Sequence, residues 1–259
     1  MGKLSITLLA GVTMIASAFA ASAQPVKVGI AAEPYPPFTL PDASGKWQGW
    51  EIDFINAMCS EAKLECVITP LAWDGIIPAL NSNKIDMIIA SLSITAERLK
   101  VIDFSDKYYQ TPSMIIGLKD MTFDATPEGL AGKTLGVQAS TIHQVYAMKH
   151  FAPAGATVRE YQTQDEANND LDAGRIDAVQ ADTFSSKVFL ETDIGRSCCN
   201  EKGNVKQDEA VLGPGIGVGL RKSDTELKNK VNAAIKAIRV NGTYDAITKK
   251  YFSYDIYGD

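Results

Sequence analysis

The sequence predicts an α/β protein built from two related lobes, and two observations support this prediction. Strand-like apolar runs alternate with helix-like segments along the chain, which is typical of α/β architecture with mostly parallel sheets. Residues 83–87 and 174–178 resemble each other, since each enters a strand from a polar turn and precedes a loop rich in hydroxyls or acids. This weak internal similarity suggests two lobes, with a ligand expected beyond the carboxyl ends of their strands.

The individual elements follow from hydrophobic patterning along the chain. Apolar runs predict strands at residues 26–31, 67–71, 85–90, 114–118, 133–138, 157–161, 176–181 and 215–221. Periodic apolar residues predict helices at residues 51–62, 75–80, 141–150, 165–173, 185–190, 225–240 and 244–251. The segment 225–240 has the clearest period, because its apolar side chains from Leu227 to Ile238 recur on one face.

The first 23 residues have the pattern of a secretory signal peptide. Lys3 supplies a positive charge, residues 8–20 are apolar, and Ala21-Ser22-Ala23 matches the small-residue cleavage pattern. The apolar stretch is too short to favour a permanent membrane span. There is no cysteine next to the cleavage site, so a lipid anchor there is not expected. We therefore expect a mature chain that starts at Gln24 and is periplasmic.

Charge and missing motifs limit the possible functions. The chain has 25 basic and 31 acidic residues, a formal net charge of −6, which argues against a nucleic-acid partner. It contains no G-x-S-x-G, no H-E-x-x-H and no P-loop. The glycine-rich segment 213–219 lacks the G-x-G-x-x-G register, so a tight strand entry explains it better than phosphate binding. These absences give no sign of a familiar catalytic motif or of a cofactor-binding motif.

The four cysteines predict one disulfide and leave a second question open. Disulfides are expected in an oxidising compartment, and Cys59 and Cys66 lie close together at a helix end and an incoming strand, so we pair them. Cys198 and Cys199 are then adjacent in a polar loop, where they could form a vicinal disulfide, bridge to another chain or stay reduced. A metal site is not expected, because His143 and His150 do not have ligand spacing from the cysteines.

Polar residues at predicted strand ends indicate a site for an α-amino acid. Ser91, Ser93 and Arg98 follow one strand, with Thr95 as the predicted N-cap of a short helix. An arginine in a first helical turn opposes the helix dipole, which suggests an anion nearby. The alternative, which involves no ligand, is a surface ion pair of Arg98 with Glu97, Asp103 or Asp106.

The second predicted lobe supplies complementary groups. Ser140 and Thr141 open a helix after one strand, and Asp182 follows another. Arg98 could bind a carboxylate with help from the helix that begins at Thr141, and Asp182 could receive an ammonium group. Simple N-capping is the alternative interpretation of both Thr141 and Asp182.

Two aromatic residues and two acids are candidates to contact the side chain of the ligand. Tyr35 lies in a loop stiffened by three prolines, and Trp73 precedes a helix, so either ring could flank a ligand side chain. Glu33 and Asp74 are candidate side-chain readers. The alternatives are core aromatics and solvated loop acids.

At these residues the chain resembles the periplasmic polar amino-acid-binding proteins of ABC importers, and within them the lysine/arginine/ornithine- and histidine-binding proteins. The resemblance covers nearly the whole mature chain. Its motifs are Tyr35-Pro36-Pro37-Phe38, Gly49-Trp50-Glu51-Ile52-Asp53, residues 89–95, Arg98, Phe104-Ser105-Asp106, residues 217–222, residues 241–245 and Lys249-Lys250-Tyr251-Phe252.

The resemblance implies a two-lobed periplasmic-binding-protein fold that closes over its ligand about a two-segment hinge. Lobe 1 would comprise residues 25–112 and 212–259, and lobe 2 residues 113–211. The partners would be a polar amino acid and a membrane ABC permease, with the protein itself a monomer.

The resemblance also implies roles for the candidate residues. Arg98 would bind the α-carboxylate with Ser93 and Thr141. Asp182 and the Ser91 backbone would hold the α-ammonium, and Tyr35 and Trp73 would flank the side chain.

The chain departs from the family pattern where side chains are recognised. Ala32 occupies the place of an acid in the binders of basic ligands, with Glu33 one residue later, and Ala90 and Ile142 replace a serine and a glutamine. The sequence therefore leaves the ligand undecided among a basic amino acid, a glutamine-like one and an opine-like conjugate. The alternative functions are a dehydratase resembling cyclohexadienyl dehydratases, with Glu33 as its acid, and a receptor-like sensing module.

Overall fold

The computed structural model describes residues 24–258, so the predicted signal peptide at residues 1–23 lies outside the described residues. Within residues 24–258, every helix is too short or too polar to cross a membrane.

The strands and helices alternate as the sequence analysis predicts. The strands are β1 Val26–Ala31, β2 Leu40–Pro41, β3 Trp47–Gln48, β4 Cys66–Leu71, β5 Met87–Ile88, β6 Asp103–Tyr109, β7 Ser113–Leu118, β8 Thr134–Gln138, β9 Thr157–Tyr161, β10 Ala178–Asp182, β11 Cys199–Asn204 and β12 Ile216–Leu220. The helices are α1 Trp50–Glu61, α2 Ile76–Asn81, α3 Ala96–Leu99, α4 Pro127–Leu130, α5 Ile142–Tyr146, α6 Gln164–Asp172, α7 Thr183–Leu190, α8 Asp193–Cys198, α9 Glu209–Leu212, α10 Thr225–Val240 and α11 Thr243–Thr248.

The strands of the described chain form two five-stranded sheets and a small hairpin. The first sheet has the order β4-β1-β5-β12-β6, and the second has the order β11-β7-β10-β8-β9. In the first sheet β1 is parallel to β4 and β5, whereas β12 is antiparallel to β5 and β6. In the second sheet β8 is parallel to β9 and β10, whereas β7 is antiparallel to β10 and β11. Both sheets are mixed, as expected, but parallel pairings are half of the total, not the predicted majority.

Four strands were not predicted, because none of their sequences is a long apolar run: the two-residue strands β2 and β3, and the longer β6 and β11. The segment Asp103–Tyr109 interleaves charged residues with buried aromatics, and it pairs with β12. Cys199–Asn204 is a polar edge strand with a bulge, and the sequence analysis assigned this region to a loop. Edge strands are solvated on one side, so they lack the apolar signature of central strands.

The chain crosses between the sheets twice. Residues 110–112 lead from β6 to β7, and residues 205–215, which include α9, lead from β11 back to β12. The predicted lobe limits, 25–112 with 212–259 and 113–211, fall in these crossings. They stay a prediction about which residues move together.

Each sheet has apolar clusters on both faces. On the first sheet, Trp50 and Phe54 of α1 pack with the buried side of α10, which carries Val231, Ile235 and Ile238. Phe184 of α7, which follows a strand of the second sheet, joins that same cluster through contacts with Phe38 and Phe252. The two lobes therefore touch in this arrangement.

The disulfides settle the cysteine pairing. Cys59 and Cys66 are bonded, as predicted, and join the end of α1 to the start of β4. Cys198 and Cys199 are bonded to each other where α8 meets β11, so the pair forms a vicinal disulfide and neither cysteine is reduced or bridged to another chain.

Candidate functional site

A cavity of about 150 Å³ lies between the two sheets and brings together most of the predicted site residues. The first sheet and its loops contribute Glu33, Tyr35, Trp73, Ser91, Ser93 and Arg98 to its wall, and the second contributes Thr141 and Asp182. Ser140 does not line the cavity, although its carbonyl oxygen accepts a hydrogen bond from Arg98. Asp74 is exposed and lies outside the wall, so the structure does not support it as a side-chain reader.

Arg98 is positioned by the cap of its own short helix. The Thr95 hydroxyl accepts a hydrogen bond from the Arg98 backbone N–H at 3.2 Å, as the sequence predicts. The guanidinium donates to the carbonyl oxygens of Ser93 at 2.9 Å and Ser140 at 3.3 Å, and its carbon lies 5.7 Å from the centre of the Trp73 ring. Burial lowers the pKa of Arg98 to about 10, which leaves it cationic at neutral pH.

The surface ion pairs proposed as the alternative for Arg98 do not form. Glu97 pairs with Lys100 at 2.6 Å, and Asp103 pairs with Lys228 at 2.9 Å. Among residues 24–258, no carboxylate lies within ion-pair distance of Arg98. A half-buried guanidinium that donates hydrogen bonds only to carbonyl oxygens keeps the ability to bind an anion.

Asp182 caps α7 and also faces the cavity. One carboxylate oxygen accepts hydrogen bonds from the backbone N–H groups of Phe184 at 2.7 Å and Ser185 at 3.4 Å. The side chain is 3% exposed, and burial raises the pKa of Asp182 to about 7 despite these donors and the Thr111 hydroxyl. No cation pairs with it in the described chain. Capping and a role in the cavity are therefore compatible.

Glu51 is a buried acid that sequence reasoning did not single out. It is fully buried at the start of α1 and accepts hydrogen bonds from the Ser91 backbone N–H at 2.7 Å, the Ser91 hydroxyl at 3.2 Å and the Tyr108 hydroxyl at 2.5 Å. Burial raises the pKa of Glu51 to about 7, and the charge of Asp182 adds to this rise. The available signal was an acid beside apolar Trp50 and Ile52 in a first helical turn.

The hydroxyl of Thr141, at the start of α5, makes hydrogen bonds only to neighbouring backbone groups among the described residues. Thr141 caps α5 by accepting from the Gln144 N–H at 3.2 Å, and its hydroxyl donates to the Gln138 carbonyl at 2.7 Å. Ser140 has a positive φ of 61° and donates its N–H to the Gln144 side chain. The predicted capping role of Thr141 is therefore present.

The aromatic wall contains two unpaired polar atoms. The Trp73 backbone N–H donates to one oxygen of Glu33 at 3.3 Å. The other Glu33 oxygen and the Trp73 indole nitrogen are buried and have no partner within residues 24–258. The Tyr35 ring stacks on Phe38 at 5.9 Å and approaches Asp182. This wall can accept one hydrogen bond and donate another.

His143 lines the cavity, although its sequence context predicted no role there. Its Nδ1 lies 3.0 Å from the Ser113 hydroxyl, which also accepts a hydrogen bond from the Gln180 amide at 3.0 Å. Burial, with the charge of Arg98, lowers the pKa of His143 to about 4, so the ring is neutral at physiological pH. Only the tertiary arrangement brings β7, β10 and α5 together here.

The fold and the cleft define a class. Two mixed sheets, connected by two crossings and separated by a polar cavity with ionisable groups of both signs, form a two-lobed solute-binding protein. Residues 26–254 match the model of the bacterial extracellular solute-binding proteins, family 3. The chain belongs to this family, which confirms the resemblance derived from the motifs.

Relatives and solved structures agree with this assignment. The chain is 40% identical to the L-arginine-binding protein of Pseudomonas aeruginosa over 259 residues, 100% of this chain and 97% of that protein. It is 39% identical to the lysine/arginine/ornithine-binding periplasmic protein of Escherichia coli over 257 residues, 99% and 98% of the two chains. Its fold is similar to an ancestral arginine-binding protein bound to arginine, with a TM-score of 0.81 and 33% identity over 88% of this chain and 98% of the other.

Proposed function

We propose that this protein captures an α-amino acid with a cationic side chain in the cleft and delivers it to an ABC permease. The observation that carries the proposal is a pair of ionisable groups in one small cavity that have no opposite charge beside them among residues 24–258, Arg98 from the first lobe and Asp182 from the second. Burying such groups costs free energy unless an opposite charge compensates them. A zwitterion supplies both compensating charges at once.

The α-groups account for the polar end of the cavity. The Arg98 guanidinium would receive the carboxylate, with Ser93 and the start of α5 at Thr141 beside it. Asp182 and Ser91 would hold the ammonium. Ser140 would act through its carbonyl contact with Arg98.

The other end of the cavity favours a cationic side chain. The buried Glu33 oxygen without a partner can accept a hydrogen bond from a guanidinium or ammonium group. The Trp73 and Tyr35 rings offer faces to a cation. The named ligands of the relatives, arginine and lysine, have this chemistry.

The setting of the proposed function is the periplasm. The signal-peptide pattern, with cleavage after Ala23, and the relatives' names support export. A monomer that closes its lobes over the ligand would present the closed form to the permease. In this proposal the protein binds its ligand without transforming it.

The test is a ligand panel on the mature protein. Thermal unfolding and calorimetry would compare L-arginine, L-lysine, L-ornithine, L-histidine, L-glutamine and octopine. A bound ligand at 100 times its Kd should stabilise by about 2.7 kcal/mol. N-acetyl-L-arginine and agmatine, which lack the ammonium and the carboxylate respectively, are matched controls that should bind far more weakly. Prephenate or arogenate consumption without any amino-acid binding would contradict the proposal in favour of a dehydratase.

A further inference from the structure

We propose that Glu51 is a positioning residue of the cleft, which holds Ser91 in place and releases a proton when a ligand's ammonium group arrives beside Ser91. This inference rests on the proposed function, because it concerns how that function depends on pH. Glu51 does not line the cavity and would not touch the ligand.

The geometry places Glu51 directly behind Ser91. The carboxylate binds both the backbone N–H and the hydroxyl of Ser91, at 2.7 and 3.2 Å, as a two-point support. Ser91 has a φ of 54°, a left-handed conformation that is uncommon for a non-glycine residue and requires support from its surroundings. Loss of the carboxylate would free Ser91 to leave this conformation.

Within residues 24–258, no cation pairs with Glu51 to balance its charge. It is fully buried, and its described partners are Ser91 and Tyr108, which are neutral hydrogen-bond donors. The titratable groups that act on it are Tyr108 and Tyr109 of β6, Tyr35 in the loop after β1, and Asp182 at the end of β10. Asp182 is the only one of these four that carries a negative charge near neutral pH, and it opposes ionisation of Glu51.

An arriving ammonium group reverses this balance. In the empty cleft at slightly acid pH, the Glu51 carboxyl keeps its proton, because two carboxylates would share a buried region. A cation bound between Ser91 and Asp182 favours the ionised form of both acids. The proton leaves to solvent, and affinity rises as pH increases toward and through about 7.

Glu51→Gln tests the role with little change in shape. The amide can accept from Ser91 and Tyr108 but cannot release a proton, so it imitates the protonated carboxyl. We expect the variant to bind the best amino acid of the panel within about twofold of the parent at pH 5.5, and roughly tenfold more weakly at pH 8.5. Calorimetry at pH 7 in buffers of different ionisation enthalpy should show fewer protons released than from the parent.

Tyr108→Phe is the second variant, and it keeps the Glu51 carboxyl but changes its pKa. The Tyr108 hydroxyl lowers the pKa of Glu51, so its removal should move the rise in affinity to higher pH. If Glu51→Gln fails to fold, Tyr108→Phe decides alone. The matched control is Glu61→Gln at the exposed end of the same helix, which should leave the profile unchanged.

The outcomes separate the two proposals. Profiles of Glu51→Gln and Tyr108→Phe that both coincide with the parent overturn the role of Glu51 and leave the proposed function intact. A Glu51→Gln protein that is equally weakened at every pH indicates structural support without proton release and also overturns the inference. A parent protein that binds no amino acid at any pH overturns both.

Discussion

At the scale of single residues, Arg98 and Asp182 are two ionisable groups of opposite sign in the wall of the cavity. Each is held by its own local structure, Arg98 by carbonyl oxygens and the cap at Thr95, and Asp182 by the first N–H groups of α7. Neither has a partner of opposite charge among the described residues. Holding such groups in a partly dry cavity without a counter-charge costs the folded chain stability, and the proposed zwitterionic ligand would offset that cost.

Arg98→Ala should remove most of the affinity without unfolding the protein. Loss of one partner of a buried charge pair costs about 2–5 kcal/mol, which corresponds to a rise in Kd of roughly 30-fold to several thousandfold. Calorimetry with L-arginine measures the affinity, and thermal unfolding should show only a small change. Arg196→Ala, which removes an exposed ion pair with Asp193, is the control. An unchanged Kd for Arg98→Ala would refute the carboxylate role.

Asp182→Asn should change how the stability of the unliganded protein depends on pH. The folded pKa of Asp182, about 7, lies above its ordinary value of 3.8, so the folded state binds this proton more tightly than the unfolded state. The contribution of Asp182 to stability is therefore greatest below about pH 4 and decreases as pH rises to about 7, by at most about 1.4 kcal/mol per pH unit.

Urea unfolding between pH 4 and pH 8 measures this difference. Asparagine caps helices about as well as aspartate, so the variant keeps α7 and loses only the titration. The free energy of unfolding of the variant minus that of the parent should increase across this interval. A difference that does not vary with pH would show that Asp182 titrates normally in the folded state.

At the scale of elements, hydrophobic periodicity predicted the helices and strands that pack on one side. Helix 225–240 was predicted with the bounds that the structure shows, because its apolar stripe covers the first sheet. The strand predicted at 85–90 is shorter, with only Met87–Ile88 paired, and helix 141–150 changes to a π-helical turn at Ala147–Phe151. Ladder pairing and hydrogen-bond register depend on neighbours that a local pattern does not contain.

Ile235→Ala on α10 should destabilise the first lobe. Ile235 is buried in the cluster with Trp50 and Phe54, and removal of a large aliphatic side chain from such a core costs about 2–5 kcal/mol. Val240→Ala on the same helix is the control, because Val240 is 81% exposed and should change stability by less than about 0.5 kcal/mol. Urea unfolding of both variants checks the prediction, and equal losses would contradict it.

At the scale of the whole molecule, the two lobes contact each other directly across the cleft. Arg98 donates to the Ser140 carbonyl across the cleft, and Phe184 packs against Phe38 and Phe252 of the first lobe. Ligand binding would add the contacts that make the closed form dominant.

Phe184→Ala should shift the protein toward the open form. We expect a larger radius of gyration in the absence of ligand by small-angle X-ray scattering, and a weaker apparent affinity, because a smaller fraction of molecules is closed. Phe189→Ala on the same helix packs within the second lobe and serves as the control. That control should lower stability without changing the radius of gyration. Identical scattering from both variants would refute the proposed contribution of Phe184.

The sequence by itself determined the α/β class, the order of most elements, the Cys59–Cys66 disulfide and the family, because these depend on local pattern and on motifs in fixed order. It also pointed to Arg98, Asp182, Ser91 and Ser93 as candidate ligand-binding residues, because polar residues at strand ends and helix starts expose hydrogen-bonding groups to a cleft. Their joint role in one site stays a prediction until the ligand panel is measured.

Only the tertiary structure decided which of these groups meet and which lack partners. Folding brings Glu51 behind Ser91 and His143 beside Ser113, although these residues are far apart in the sequence. The alternative ion pairs of Arg98 are excluded because Lys100 pairs with Glu97 and Lys228 pairs with Asp103. Burial, which raises the pKa of Glu51 and Asp182, is a property of packing between elements. A local pattern places a carboxylate at a helix start, but only the folded chain removes water and counter-charge from around it.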